Sequence, residues 1–486
     1  MKKYLVLAAA VFVLFTAVKL HFISSTMVID DEAYYSMYSR HLAPGYIDHG
    51  PVVALLVRVS TAAFGETAFG VRAGSVALLS LLSIALFWFG ARFHSPRAGW
   101  ALFLISMTTL LYFAGSVVVT PDTPMVFFMM LALMLYYAAF FSHRYYFYPA
   151  GIMLGLAMLS KISVVFPALG VFLFPLIAPD KRAYLRCREF YLSFIIAAAV
   201  FSPFLVWNFQ NDLAFIRYQG AHVFRPGGIK SFFDLWGAQA GLLFPILFFF
   251  AIYLPGQAIV NRIRARAVDP RRLFFAITAA VPLGYFMVQS MFSRYEANWP
   301  APAFFGGIML AGMHIAEHWE RLRTLFAVQV AASCALIAVA VVQVVYSPIA
   351  FPAGKDVTNR YYAYQALAGP VREYLEREPR YRSLRMMSAN YQIPSMVNLY
   401  LRPDREAVAI SVAGYHDTLY SFVYRDATLV GQDYLFVWLG EEIPNNIRRH
   451  FNSIERVASF PSVRGAGRVV GVVTLWEAKG YRGRAF

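Results

Sequence analysis

The chain has 486 residues, of which 59% are hydrophobic, 17% aromatic and 14% charged, with a formal net charge of +16. A soluble domain is roughly 45–50% apolar, so composition argues against that class, and successive apolar runs of about 17–22 residues indicate a polytopic membrane protein. The basic residues gather in short connections, at Arg92 and Arg97, Arg144, 181–188, 262–272, and Arg321 and Arg323; this is the inside-facing signature of membrane loops, not a nucleic-acid surface. The two cysteines, Cys187 in a basic loop and Cys334 in an apolar run, exclude a disulfide scaffold.

In chain order, the first run covers 4–22 behind Met1-Lys2-Lys3. It is long for a signal-peptide core and lacks a small-residue cleavage site, so it reads as a retained anchor. Further spans are expected near 69–90, 100–118, 123–141, 147–160, 162–178, 190–207, 236–255, 273–291, 300–316 and 324–346. About eleven crossings put the amino terminus inside and the carboxy terminus on the far side. The pair 147–160 and 162–178 is short and parted only around Lys161. The far side then receives the loop 24–68, the corner Thr120-Pro121-Asp122, Lys161, the loop 208–233, the segment 293–299 and everything after 347. Most of the unusual polar residues collect on that one face.

The loop after the first span holds the densest chemistry: Asp30, Asp31, Glu32, Arg40, His41, Asp48 and His49 lie within 29–51. Three consecutive carboxylates beside a bilayer are costly unless a cation or a reaction uses them, or the loop is simply solvated. Residues 32–42 and 52–64 carry apolar positions at helical spacing. Both stretches are too short to span, so amphipathic helices along the membrane surface are expected within 31–64. From about 357 the runs shorten to strand length (SLRMMSA, AVAISV, DYLFVWLG, VVGVVTLWEA), with helices expected at 361–377 and 444–450. This predicts a membrane domain over 1–346 and an α/β domain over 347–486 outside the membrane, a structural or positioning cap. No internal repeat is evident, which disfavours a transporter of duplicated halves.

The motifs occur in a telling order: Asp31-Glu32 after the first span, Asp48-His49-Gly50-Pro51 before the second, and Pro121-Asp122-Thr123-Pro124 after the third. Leu159-Ser160-Lys161, Trp207-Asn208-Phe209-Gln210-Asn211 and Glu296-Ala297-Asn298-Trp299-Pro300 follow. Over about residues 1–350 this resembles the bacterial lipid-linked-sugar glycosyltransferases of the all-α, integral-membrane GT-C fold, in the protein mannosyltransferase and aminoarabinose transferase group. The resemblance implies an inverting transfer from a polyprenyl-phosphate-linked sugar, undecaprenyl phosphate being the expected carrier. The acceptor would be a lipid or glycan (lipid A, core or O-antigen), the location the periplasmic face of the inner membrane among its lipids, and no metal or other cofactor would be essential.

Residue by residue, the resemblance makes Asp31 the general base for the acceptor hydroxyl, with Asp30 an extra acid that leaves the register open. Glu32 is a supporting carboxylate or a helix-start residue. Asp48 and His49 match an acid-base box whose basic member holds the donor phosphate. Here that member is a histidine, only partly cationic near neutral pH, and Gly50 replaces a proline. Asp122 is a second carboxylate or a helix cap, and Lys161 a phosphate ligand or a snorkelling cation. Arg217 and His222, with Arg225 nearby, suit a phosphate or anionic headgroups. Arg294, Glu296, Asn298 and Trp299 suit sugar hydroxyls and a ring face, the interfacial aromatic belt being the other reading of Trp299. No His, Cys and carboxylate group shows a zinc spacing, and no Walker or Rossmann motif points to a nucleotide sugar. The rival readings are a protein O-mannosyltransferase and a lipid or solute transporter; the latter would place functional charge near the bilayer midplane.

Overall fold

A computed structural model describes residues 2–223, 226–410, 417–465 and 467–484. Its helical part runs α1 (Lys2–Ser25), α2 (Asp30–Arg40), α3 (Val52–Phe64), α4 (Ala68–Phe93), α5 (Pro96–Thr108), α6 (Leu110–Val117), α7 (Asp122–Phe141) and α8 (Phe147–Ser160). It continues through α9 (Val165–Ile177), α10 (Arg188–Gln210), α11 (Ala214–Val223), α12 (Ile229–Leu243), α13 (Pro245–Ile263), α14 (Pro270–Gln289), α15 (Phe305–Glu317) and α16 (Trp319–Tyr346). The two helices expected in the first loop are α2 and α3. The expected open loop 208–233 instead contains α11 and the start of α12.

Among the described residues seven helices are long and apolar enough to cross a bilayer, or nine if two bent pairs each count as one span, against about eleven read from the sequence. The difference lies in breaks and short helices. The predicted span 100–118 divides at Thr109 and bends by 56°. α8 and α9 have 14 and 13 residues; at about 1.5 Å per residue each extends roughly 20 Å, short of a hydrocarbon core of about 30 Å. The predicted span 236–255 divides at Phe244, whose φ of 66° stops α12 just before Pro245 opens α13. Buried Gln329 serves the groups this break orphans, donating to the Leu243 carbonyl at 2.9 Å and accepting from the Leu247 amide at 3.1 Å.

Residues Met1–Leu20, Asp48–Val53 and Ser75–Ala338 form one compact unit. Within it α8 packs against α7 and α10, α9 against α14, α15 against α5, and α13, α14 and α15 against one another. Small residues allow such close approach where lipid supplies no hydrophobic drive. A Cβ on Gly151 would sit 2.3 Å from the Ser193 carbonyl oxygen. The core is aromatic: Tyr137 stacks on Phe275 at 5.2 Å, and Phe140 meets Phe174 edge-on at 4.9 Å.

The second unit comprises His21–Ile47, Ala54–Gly74 and Val339–Phe486. It contains α17 (Gln365–Ala368), α18 (Pro370–Arg377), α19 (Pro379–Ser383), β1 (Arg385–Ser388), α20 (Gln392–Tyr400), β2 (Val408–Ala409), β3 (Tyr434–Leu439), β4 (Phe451–Arg464) and β5 (Arg468–Tyr481). The sheet order is β2-β1-β3-β5-β4, with β1 parallel to β2 and β3 and β5 antiparallel to β3 and β4. The single helix predicted over 361–377 is instead split at Gly369, with Pro370 opening α18. β4 was not predicted. It is an edge strand, polar along much of its length and containing Pro461, which an edge tolerates and an interior strand does not. Ser411 and Val412, in the predicted strand AVAISV, lie outside the described residues. α20 covers β1 and β3 and also packs against α2.

Candidate active site

In the first unit α8 ends at Ser160 and the backbone is extended at Lys161 (φ −157°, ψ 129°) before a short 3-10 turn, Ile162–Val164. This break carries the lysine to Asp122 in the first turn of α7. Its ammonium donates to Asp122 Oδ1 at 2.7 Å, with only 12% and 13% of the two side chains exposed. Asn298 donates to the other oxygen, Oδ2, at 2.6 Å. The Asp122 carboxylate therefore braces a lysine rather than capping α7. An ammonium has three donors, so two remain after the bond to Asp122.

Lys161 faces a cavity of about 220 Å³ that Asp48, His49, Tyr295 and Trp299 also line. The remaining wall is largely apolar and aromatic, including Phe166, Phe204 and Phe215, with Tyr285 stacked on Phe166 at 4.1 Å. Ser163 lines it too, and its hydroxyl is buried without a hydrogen-bond partner among the described residues. A cation in the wall of a largely aromatic space suits an anionic group on an apolar chain.

The box 48–51 is pressed against the end of α8. A Cβ on Gly50 would lie 1.8 Å from the carbonyl oxygen of Leu159, two positions before Lys161 in the chain, so only glycine fits. A proline at position 50 would meet the same carbonyl. Gly50→Ala is expected to cost about 1–3 kcal/mol as an overpacked contact, read as a lowered melting temperature in detergent. Gly237→Ala, inside α12 with open space at its Cβ, is the control and should melt no lower than the unsubstituted protein.

In the second unit Asp30, Asp31 and Glu32 form the first turn of α2, where carboxylates favour the helix dipole. Glu32 is fully buried. It accepts from the Ile29 amide at 2.9 Å and takes both arms of Arg72, Nε at 2.8 Å and Nη2 at 2.5 Å. Arg72 also donates to the Thr26 hydroxyl at 2.9 Å and the Met27 carbonyl at 2.8 Å. This geometry fits the helix-start reading of Glu32. Asp31 is more open, 32% exposed, with Arg360 Nη2 on Oδ2 at 2.6 Å and the Tyr391 hydroxyl 3.4 Å from Oδ1. Asp30 is 16% exposed and takes Arg360 Nε at 2.7 Å. Burial pushes its carboxyl above the usual range, against the opposing pull of Arg360.

The remaining predicted residues are less engaged. Arg217 on α11, and Arg294 and Glu296 between α14 and α15, are exposed. Trp299 is half-buried, edge-on to Tyr295 at 5.1 Å. His222 lies on α11, but its side chain, like Arg225, is outside the described residues. Sequence reasoning missed Arg360, whose segment reads as ordinary polar chain. It also passed over a His-x-x-Glu-His spacing: His314, Glu317 and His318 at the end of α15 bring ligand atoms within 4.8 Å of one another. None of the three lines the cavity. The Glu317 carboxylate already pairs with Arg272 and has His94 Nε2 at 3.4 Å, so a cation holds the one anionic ligand.

Apolar helices, a pair of short helices behind the first of them, and a small mixed sheet at the carboxy end are the layout of the GT-C glycosyltransferase fold, and the chain has that fold. It is similar to ArnT from Cupriavidus metallidurans in the apo state (TM-score 0.64, 15% identity) and bound to undecaprenyl phosphate (TM-score 0.65, 16% identity), in each case over 98% of both chains. Residues 48–207, which include His49, Asp122 and Lys161, match the dolichyl-phosphate-mannose-protein mannosyltransferase family. Over 321 residues, 64% of its length, the chain is 26% identical to the lipid A galacturonosyltransferase RgtD of Rhizobium johnstonii, and it spans 65% of that relative.

Proposed function

We propose that the chain is a glycosyltransferase that moves a sugar from a polyprenyl phosphate, undecaprenyl phosphate being the preferred carrier, to a hydroxyl of an envelope glycolipid. The observation that carries this reading is Lys161, which lines an aromatic-walled cavity and is braced by Asp122, itself held by Asn298. A departing lipid phosphate needs a fixed cation for its charge and an apolar groove for its tail. The neighbour bound to undecaprenyl phosphate supports the carrier, and the lipid A galacturonosyltransferase supports lipid A as acceptor.

In this reading His49 and Ser163 add donors to the phosphate, and Arg217 and His222 attract it. Arg294, Glu296 and Trp299 contact the sugar. Asp31 takes the acceptor proton as the new bond forms at the anomeric carbon and the phosphate leaves from the opposite side, inverting that centre. Glu32 holds α2 in place. Lys161 supplies the positive charge, so the reading requires no metal. The arginine-rich connections orient the reacting face toward the periplasm.

The test is mass spectrometry of envelope glycolipids and glycoproteins from wild-type, deletion and Lys161→Met cells. One sugar-sized increment is expected to vanish from a glycolipid in both mutants. Loss from a glycoprotein alone would move the acceptor to protein, the reading that the family match over 48–207 favours. No change in either fraction would overturn the transferase reading.

A further inference from the structure

We propose that Arg360 is a positioning residue for Asp31, holding one carboxylate oxygen so that the other is presented to the acceptor hydroxyl. The proposal rests on the reading of Asp31 as base. Adjacent carboxylates on one helix turn repel, and here a single guanidinium spans both, meeting Asp30 through Nε at 2.7 Å and Asp31 through Nη2 at 2.6 Å. Nη2 also lies 2.5 Å from Asp30 Oδ1, so one nitrogen touches both acids, and the planar fork adds the Nε bond that an ammonium, a point charge, would lack. The bond to Oδ2 fixes the Asp31 side chain. Oδ1 meets the Tyr391 hydroxyl at 3.4 Å, the weaker of the two contacts. Asp30, the deeper of the two acids, also accepts from the Asp31 amide at 3.1 Å and completes the frame.

Arg360 is itself fixed from behind. Its 3-10 turn, Val357–Tyr361, starts at Asp356, whose Oδ1 accepts from the Thr358 amide at 3.0 Å. Arg464, at the end of β4 and only 2% exposed, reaches Asp356 Oδ2 at 3.3 Å, the Asn359 side chain at 2.8 Å and the Val344 carbonyl at 3.0 Å. Tyr361, the next residue, lies under the Arg72 guanidinium at 5.6 Å. A group aimed through so many bonds is set to a geometry rather than left to pair at random. In the transfer, the acceptor O–H proton passes to Asp31 Oδ1, its oxygen bonds the anomeric carbon, and the electron pair of the breaking bond leaves with the phosphate. Arg360 exchanges no proton.

The test uses the full-length protein in detergent, with polyprenyl-phosphate-linked sugars extracted from wild-type membranes as donor and deletion-strain glycolipid as acceptor. Arg360→Met is expected to lower kcat about 10- to 100-fold with the donor KM unchanged, and Arg360→Lys to recover part of the loss. In an Asp31→Asn background Arg360→Met should cost nothing further, because the residue acts through Asp31. An equal loss in both backgrounds, or a wild-type rate for Arg360→Met, overturns the proposal. Full activity in Asp31→Asn would overturn the base assignment and Arg360 with it, whereas no transfer by the wild-type protein would overturn the functional reading as a whole.

Discussion

Asp31→Asn is expected to lower sugar transfer by about 10²- to 10⁴-fold, the usual contribution of a general base, while the protein melts as wild type. The amide keeps the shape of the carboxyl group and can still accept from Arg360, so α2 should remain in place. It cannot take a proton at the moment the acceptor oxygen attacks. Asp30→Asn is the informative companion. Asp30 is the less exposed of the two acids, 16% against 32%, and its Oδ1 is already held by Arg360 and the Asp31 amide. Its loss should cost less than a tenth of the Asp31 effect on this logarithmic scale. Initial rates of glycolipid modification by the two purified variants decide between them. A dead Asp30→Asn beside an active Asp31→Asn would move the base by one residue.

Which parts of this were legible in the sequence depended on how far each residue's role could be read from its neighbours. Lys161 stood out because a lone cation between apolar runs is anomalous in any fold. Asp122 stood out in its Pro-Asp-Thr-Pro corner, but its capping reading could not be rejected locally, because the competing partner, Asn298, is 176 residues away. Arg360 had no local signal at all. It is 329 residues from Asp31, in a segment of ordinary polarity, and acquires meaning only through Arg464 and Asp356. Hydropathy located the long helices, since apolar length is a property of one segment. It joined α12 to α13 because the Phe244 break is stabilised from α16 by Gln329, another distant residue. β4 escaped for a different reason: an edge strand need not alternate, and its apolar partner β5 carried the visible pattern.

The second large effect concerns Glu32 and Arg72, and it separates a structural acid from a chemical one. Both side chains are wholly buried. Arg72→Met is expected to destabilise the protein by about 3–5 kcal/mol, because it strands an ionised carboxylate without its cation. Glu32→Gln alone should do the same in reverse, leaving the Arg72 charge to the Thr26 and Met27 oxygens. Combined, the two changes should cost much less than their sum. Glutamine still accepts from the Ile29 amide at the start of α2, and methionine fills the space of the arginine stem without a charge to solvate. Thermal melting of the two single variants and the double variant measures that coupling. Transfer activity of the double variant then assigns Glu32. A helix-start residue predicts that activity returns with stability, since Asp31 and Arg360 are untouched. A stable double variant with no transfer would show that the Glu32 carboxylate takes part in the chemistry, and the acid next to Asp31 would have to be counted with it.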